Sequence, residues 1–281
     1  MEQRTRVGNR LLAALPTADL DLLVRHFRLI ELQRDAVLVR SGDPVQRIYF
    51  PLGGLIAFIM DMPNGQTVAT AVVGNEGAVG VLTMLGPSPS PMTAVVRVAG
   101  TALQISPAQF QAALERSSAL RGAVQTLTRA LMAQFQHVAA CNALHSVEAR
   151  LARWLLQVHD RADGGVLPLT QETLAEFLGV RRTTVTQVIS KLRDSGAIRS
   201  NARGSIEIDR PRLEASACEC YQLMRRRIGR IVFPDEMTPP GHDRPTDNPR
   251  GQASQSAKPE EIQIHRRTGG QGTTGSRARS H

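Results

Sequence analysis

Between Arg181 and Lys191 the chain reads RRTTVTQVISK. At helical spacing, Val185, Val188, Ile189 and Leu192 share one side. Arg181, Arg182, Thr183, Thr186, Gln187 and Lys191 share the other. That second side is basic and rich in hydroxyls, and it carries one side-chain amide. Guanidinium, ammonium, hydroxyl and amide groups donate to phosphate oxygens and to the acceptor atoms of purines in a major groove. The set lies at a helix N-terminus, the end that a recognition helix offers to base edges. A plain helical hairpin with a solvated basic face is the alternative reading of the same residues.

Other chemistries find less support. No Ser/His/Asp set, phosphate-binding glycine loop or metal motif stands in a fitting context, so no catalysis is expected. The cysteines are Cys141, Cys218 and Cys220. Three thiols fall short of the four that an iron–sulfur cluster takes, and none is near the N-terminus. The C-x-C spacing is not that of a zinc pair. Cys141 and His145 are four apart, but the helix carrying them is expected to break near Asn142, and two ligands do not close a site. No metal and no cofactor are expected. His26, His137 and His159 read as surface or interface residues.

The elements around the basic helix are legible. Thr170 is an N-cap candidate, Glu172 suits the first turn, and Leu174, Phe177 and Leu178 make an apolar face. Gly179 then ends that helix in the left-handed conformation, and Val180 plugs the turn. After Ser195-Gly196, Ile198 to Ile208 reads as two strands around Asn201-Ala202-Arg203-Gly204, a wing with Arg203 at its tip. Ser146 caps a preceding helix, Val147–Val158, and the Asp163-Gly164-Gly165 turn follows it. A helix from Pro211 to about Ile231 comes after the wing, with Arg225, Arg226, Arg227 and Arg230 near its end.

Upstream, Asn9–Ile30 looks helical, with a new start at Pro16-Thr17. Short apolar runs follow at Arg28–Gln33, Val37–Arg40, Arg47–Phe50, Leu55–Met62, Thr67–Val73, Val79–Leu82, Thr93–Val98 and Ala102–Ile105. Turn signals separate them, Asn64-Gly65 being the plainest hairpin. Such a series predicts a small antiparallel β-roll or jelly roll. Ser106-Pro107 opens a short helix. A long one follows over Ala119–Asn142, with Val124, Leu127, Leu131, Phe135 and Val138 among the apolar positions. Their spacing of mostly three and four suits a two-fold helix pair, and these residues are the expected dimer interface. The alternative packs this face on the chain's own β-roll. From Pro234 on, the composition predicts disorder.

The 281 residues thus divide into a β-roll domain with flanking helices (1–117), a dimerisation helix (118–143), a DNA-binding domain (144–217), a helical extension (218–233) and a tail (234–281). Fold class is α+β. Formal charge is +9 and the pI is about 10.7. More than half of the excess charge falls between Val147 and Phe233, which fits a polyanionic partner. No apolar run of about 18 residues is present, and a cytoplasmic protein with reduced thiols is expected.

The segment Leu169–Asp209 resembles the winged helix-turn-helix of the Crp/Fnr family of bacterial transcription regulators. Leu169-Thr170-Gln171-Glu172, Leu174-Ala175, Leu178-Gly179-Val180, Arg182-Thr183-Thr184-Val185, Leu192 and Gly196 carry the likeness. It implies that Arg182, Thr183, Thr186 and Gln187 read bases, and it completes a DNA-facing set of Thr170, Arg181, Arg182, Thr183, Thr184, Thr186, Gln187, Lys191 and Arg203. Arg181 departs from the Ser or Thr usual in the family, which weakens the helix cap and adds a phosphate contact. Partners so implied are double-stranded DNA, a second copy of the chain, and RNA polymerase.

The β-roll resembles the family's cyclic-nucleotide-type sensor through Ser41-Gly42-Asp43-Pro44, Tyr49-Phe50 and Gly74-Asn75-Glu76-Gly77-Ala78-Val79-Gly80. An effector pocket would then draw on Glu76, Gly77, Thr93 and Arg97. The phosphate arginine of that pattern is missing, since Pro89-Ser90-Pro91-Met92-Thr93-Ala94 stands in its place. Glu76-Gly77 also reverses the usual Gly-Glu order. A buried cyclic phosphate without a cation is costly, so cyclic AMP or cyclic GMP is not the expected effector. The rival function is a small-molecule sensing module whose DNA affinity is incidental.

Overall fold

The computed structural model describes residues 8–86, 88–162, 166–200 and 205–232. The turn at 163–165, the wing tip with Arg203, and the tail from 234 lie outside them.

Two short helices come first: α1 (Arg10–Ala13), capped by the Asn9 side chain, and α2 (Thr17–Val24). The β-roll then forms from β1 (Arg28–Leu32), β2 (Val37–Val39), β3 (Ile48–Pro51), β4 (Leu55–Asp61), β5 (Thr67–Val73), β6 (Thr93–Val98) and β7 (Gly100–Ile105). One sheet has the order β1-β7-β3, the other β2-β6-β4-β5, and all pairings are antiparallel. Gly65 turns between β4 and β5 at φ 79°, while the Asn64 carboxamide accepts from the Gln66 amide at 3.0 Å.

The strand expected at Val79–Leu82 does not form. Val79 makes a single bridge to Tyr49, and Gly80 then swings to φ 89°. A Cβ there would meet the Arg47 carbonyl at 2.8 Å. The chain leaves the sheet as a 3-10 turn, Val81–Leu85.

Ser106 caps α3 (Pro107–Arg116) and Ser117 caps α4 (Ser118–Leu144). The helix therefore continues past Asn142, where a break was expected, and its last turn brings Cys141 and His145 within one turn of each other. α5 (Val147–His159) follows behind the Ser146 cap. Then come β8 (Val166–Leu167), α6 (Gln171–Leu178), α7 (Arg182–Asp194), β9 (Ile198–Ser200) and β10 (Ile206–Ile208). The wing sheet has the order β8-β10-β9, so the two-stranded wing of the sequence gains a third strand.

The single helix expected over Pro211–Ile231 is two, α8 (Arg210–Ser216) and α9 (Cys220–Val232). Ala217 turns to an extended conformation at φ −80°, ψ 150°, and α9 folds back against α4.

The long helix buries, within the chain itself, four of the five residues expected at a dimer interface. Val124, Leu127 and Leu131 are 1–4% exposed and pack with Phe50, Val73 and Phe110 in the β-roll core, with Phe135 against its edge. Val138 is buried in the second core, with Trp154 and Phe177. Apolar spacing of three and four says that a helix has a greasy face, not what covers it. Here the chain covers its own.

Candidate nucleic-acid interface

α5 is the platform. Leu151, Trp154, Leu155 and Val158 are 0–1% exposed. Trp154 lies against Phe177 of α6 with ring centroids 5.1 Å apart. The Arg150 guanidinium donates to the Leu178 carbonyl at the end of α6, satisfying an acceptor that the helix C-terminus leaves open. Burial lowers the pKa of Arg150 from its usual value.

The two-helix turn is built from local signals. Thr170 Oγ1 accepts from the Thr173 amide at 3.1 Å. Gly179 closes α6 at φ 63°, ψ 39°. Leu174, Phe177, Leu178, Val185 and Leu192 are 0–1% exposed and fuse the pair into one body. With that face spent on the core, the opposite face of α7 must meet solvent.

Arg181, Arg182, Thr183, Thr186, Gln187 and Lys191 are exposed, and Thr184 is half-buried. Thr170 is exposed at the head of α6. Arg181 stands at the N-cap of α7 and its side chain makes no cap bond. The Thr184 amide reaches only the Arg181 carbonyl, at 3.0 Å. The Arg182 and Thr183 amides and the positive end of the helix dipole are thus open to an anion.

Thr186 Oγ1 lies 3.1 Å from Gln171 Oε1 and 3.1 Å from the Arg182 carbonyl. Gln171 of α6 thus joins the polar face of α7, although α7 alone gives no sign of it. Lys191 Nζ is 3.8 Å from Glu148 Oε2 on α5, with the lysine largely exposed and the glutamate half-buried. Such a pair is worth about 0–1 kcal/mol and yields readily to a phosphate. The interface is therefore cationic and hydrogen-bonding, and its backing is rigid.

The four residues expected around an effector are not gathered into one pocket. Arg97 of β6 donates to Asp35 at 2.8 Å and to Glu176 of α6. Glu76 accepts from Arg161 Nε at 2.7 Å. Thr93 donates to Asp61 and accepts from the Ser41 amide. Gly77 presents its carbonyl to the Asn9 side chain at 2.9 Å. Both charged members turn toward the DNA-binding half, because partners of opposite sign wait there.

Inside the roll, a cavity of about 80 Å³ is lined by Val39, Phe58, Val79, Met92, Leu131 and their neighbours, with no charged side chain. Small-molecule pockets usually run to about 300–1,000 Å³. A cleft of about 340 Å³ lies outside the roll, between Arg10, Glu76, Arg161 and the α9 residues Tyr221 and Arg225. Tyr221 shares Asp160 with Arg210, and burial near Asp160 pushes its hydroxyl pKa up to about 12.

The cysteines are brought together. Cys141, His145, Cys218 and Cys220 place their ligand atoms within 4.8 Å of one another. The separation of 77 positions between Cys141 and Cys218 hides this from the sequence. Only the C-x-C and the Cys-x3-His fragments could have hinted at it.

Among the described residues, no helix is long and apolar enough to cross a membrane. Comparisons with known proteins agree with the two-part architecture. Residues 29–117 match the family model of the cyclic nucleotide-binding domain, and residues 149–216 that of the Crp-like helix-turn-helix domain. The chain is 24% identical over 204 residues to a CRP-like cAMP-activated global transcriptional regulator of Mycobacterium tuberculosis, covering 69% of this chain and 90% of that protein. A Crp/Fnr-family regulator from Eubacterium rectale superposes with a TM-score of 0.60 at 17% identity, covering 73% of this chain and 96% of the other. The c-di-GMP-responsive regulator CLP of Xanthomonas campestris gives 0.58 at 16% identity, covering 69% and 99%. With a sensor-type β-roll, a long connecting helix and an open helix-turn-helix face in that order, the chain belongs to the Crp/Fnr family of DNA-binding transcription regulators.

Proposed function

We propose that the chain acts as a homodimer on a pseudo-palindromic operator, each copy setting the N-terminal half of α7 into one major groove. The observation that carries this is the exposed Arg182/Thr183/Thr186/Gln187 face beside an uncapped helix start. Arg182 is the guanine reader, since a guanidinium meets guanine O6 and N7 together. Arg181 and Lys191 hold phosphates, and so does Arg203.

Pairing uses the face of α4 that the β-roll leaves bare. Gln125, Arg129, Met132, Gln136, Ala139 and Ala143 are exposed and recur at alternating intervals of four and three. Small and apolar side chains at its C-terminal half permit close approach of two helices. A two-fold axis there yields half-sites about one DNA turn apart. RNA polymerase is the further partner that a regulator on such a site would meet.

Regulation by an effector enters through the β-roll. A roll cavity of about 80 Å³ without a cation disfavours a cyclic nucleotide in that position, unlike the cAMP-activated relative. The rival reading, a ligand sensor with incidental DNA affinity, differs in outcome. Selection of bound sequences from random DNA, with and without cyclic AMP, cyclic GMP and c-di-GMP, separates the two. A two-fold motif enriched without added nucleotide is the expected result. Salt-labile binding with no enriched motif would favour the sensor.

A further inference from the structure

Three segments distant in sequence meet at the end of α4. Cys141 lies on its last turns, His145 at its C-cap, Cys218 in the α8–α9 turn, and Cys220 at the start of α9. Cys141 Sγ is 3.5 Å from Cys218 Sγ, and Cys220 Sγ is 3.6 Å from His145 Nδ1. The three cysteines are buried and His145 is half-buried. The four donor atoms all fall within 4.8 Å of one another.

These spacings have a simple meaning. Zinc holds thiolate sulfur at about 2.3 Å and imidazole nitrogen at about 2.0–2.1 Å, so a tetrahedral site has donor–donor edges of about 3.5–3.8 Å. The two short separations match those edges. An iron–sulfur cluster spreads its thiolates around a core of several atoms, whereas four donors this close surround a single ion.

Two further observations point to a metal. His145 Nε2 is 3.0 Å from Glu219 Oε1, so the carboxylate accepts from Nε2–H and leaves the Nδ1 lone pair directed at Cys220. Metal-binding histidines are commonly oriented in this way by a carboxylate. Second, Arg153 is fully buried, and its Nε and Nη2 have no hydrogen-bond partner. Its bonds reach Gln157 Oε1 and Met224 Sδ, neither of which is charged. A buried cation needs a counter-charge. Three thiolates around a divalent ion would carry one net negative charge, and the Arg153 guanidinium lies within electrostatic range of Cys141 and Cys218.

We propose that Cys141 Sγ, His145 Nδ1, Cys218 Sγ and Cys220 Sγ bind one zinc ion that fastens α4 to the α8–α9 turn. On binding, each thiol gives up its proton to solvent, and Nδ1 donates its lone pair. The donors fill all four positions, so the site is structural rather than catalytic. It ties the C-terminal end of the helix proposed for pairing to the back of the DNA-binding half.

The full chain, purified without chelator or affinity histidines, is analysed for metals by mass spectrometry. One zinc per chain is expected. Replacing zinc with cobalt(II) should give the visible spectrum of a tetrahedral thiolate site. Cys141→Ser, Cys218→Ser and Cys220→Ser should each lose the zinc. Glu219→Gln, at an exposed position, should fold normally and weaken zinc affinity on the order of 10–100-fold. Absence of stoichiometric zinc together with no tetrahedral cobalt spectrum would overturn the proposal. So would iron with inorganic sulfide, or a Cys141–Cys218 disulfide in the native protein. The cobalt titration of the unmutated chain decides the matter even if the serine variants fail to fold, and DNA binding is measured separately.

Discussion

Arg97 of β6 holds Glu176 of α6, and the same guanidinium reaches Asp35 at 2.8 Å. The pair lies 79 positions apart in sequence, and the contact joins the β-roll to the first helix of the helix-turn-helix. Val68 of β5 adds to this seam by packing beside Gly179. Arg97→Ala leaves a half-buried carboxylate without its partner, which costs about 1–3 kcal/mol. A lowered denaturant midpoint, with faster proteolysis between the two halves, is the expected outcome.

Burial pushes the Glu176 carboxyl above the usual carboxylate range, and Arg97 pulls it down by less. A raised native pKa means that the folded chain takes up this proton before the unfolded chain does. Its contribution is present in full below the unfolded value and is lost as pH rises through the native one. Relative to Glu176→Gln, the wild type should gain stability as pH falls through that window. Parallel melting temperatures for the two proteins across the acid range would refute the assignment.

Arg182→Ala should cost about 1–3 kcal/mol of operator affinity and relax one base position. Competition binding against operators varied at each position reads both effects. Full affinity with unchanged specificity would remove Arg182 from the interface.

Arg181→Ala and Lys191→Ala should weaken all DNA sequences alike. Each neutralises one phosphate less, so the slope of log K against log salt should flatten by about one unit per residue. A titration over a range of potassium chloride concentrations is sufficient, and an unaltered slope would count against the phosphate role.

Met132 is 55% exposed on α4. Met132→Glu should split the dimer by placing like charges across the two-fold axis, while leaving the β-roll core untouched. Light scattering should then report a monomer, with operator binding weakened far more than non-specific binding. A dimer that survives would place the interface elsewhere.

Much of this architecture was readable residue by residue. Ser106-Pro107, Ser146, Thr170 and Gly179 fix helix ends through bonds within a few residues, so their signals are local and they behaved as expected. The exposed face of α7 followed from the same logic, since its apolar face had to be spent on Trp154 and Phe177. Three of the departures share a cause. The covering of α4 by its own β-roll, the turn of Arg97 toward Glu176 and the meeting of Cys141 with Cys218 all depend on chain segments far apart in sequence. Val79–Leu82 failed for a different reason. A left-handed Gly80 outweighed a strand-like run of side chains.

The bare start of α7 has a thermodynamic consequence. With no side chain closing its first turn, the amides of Arg182 and Thr183 should exchange with solvent deuterium quickly in the free protein and slowly on an operator. Part of the recognition helix would then be finished by the DNA itself. Measured affinity would include the entropy of ordering that turn, and a Ser at position 181 would raise the stability of the free protein while narrowing the gain on binding.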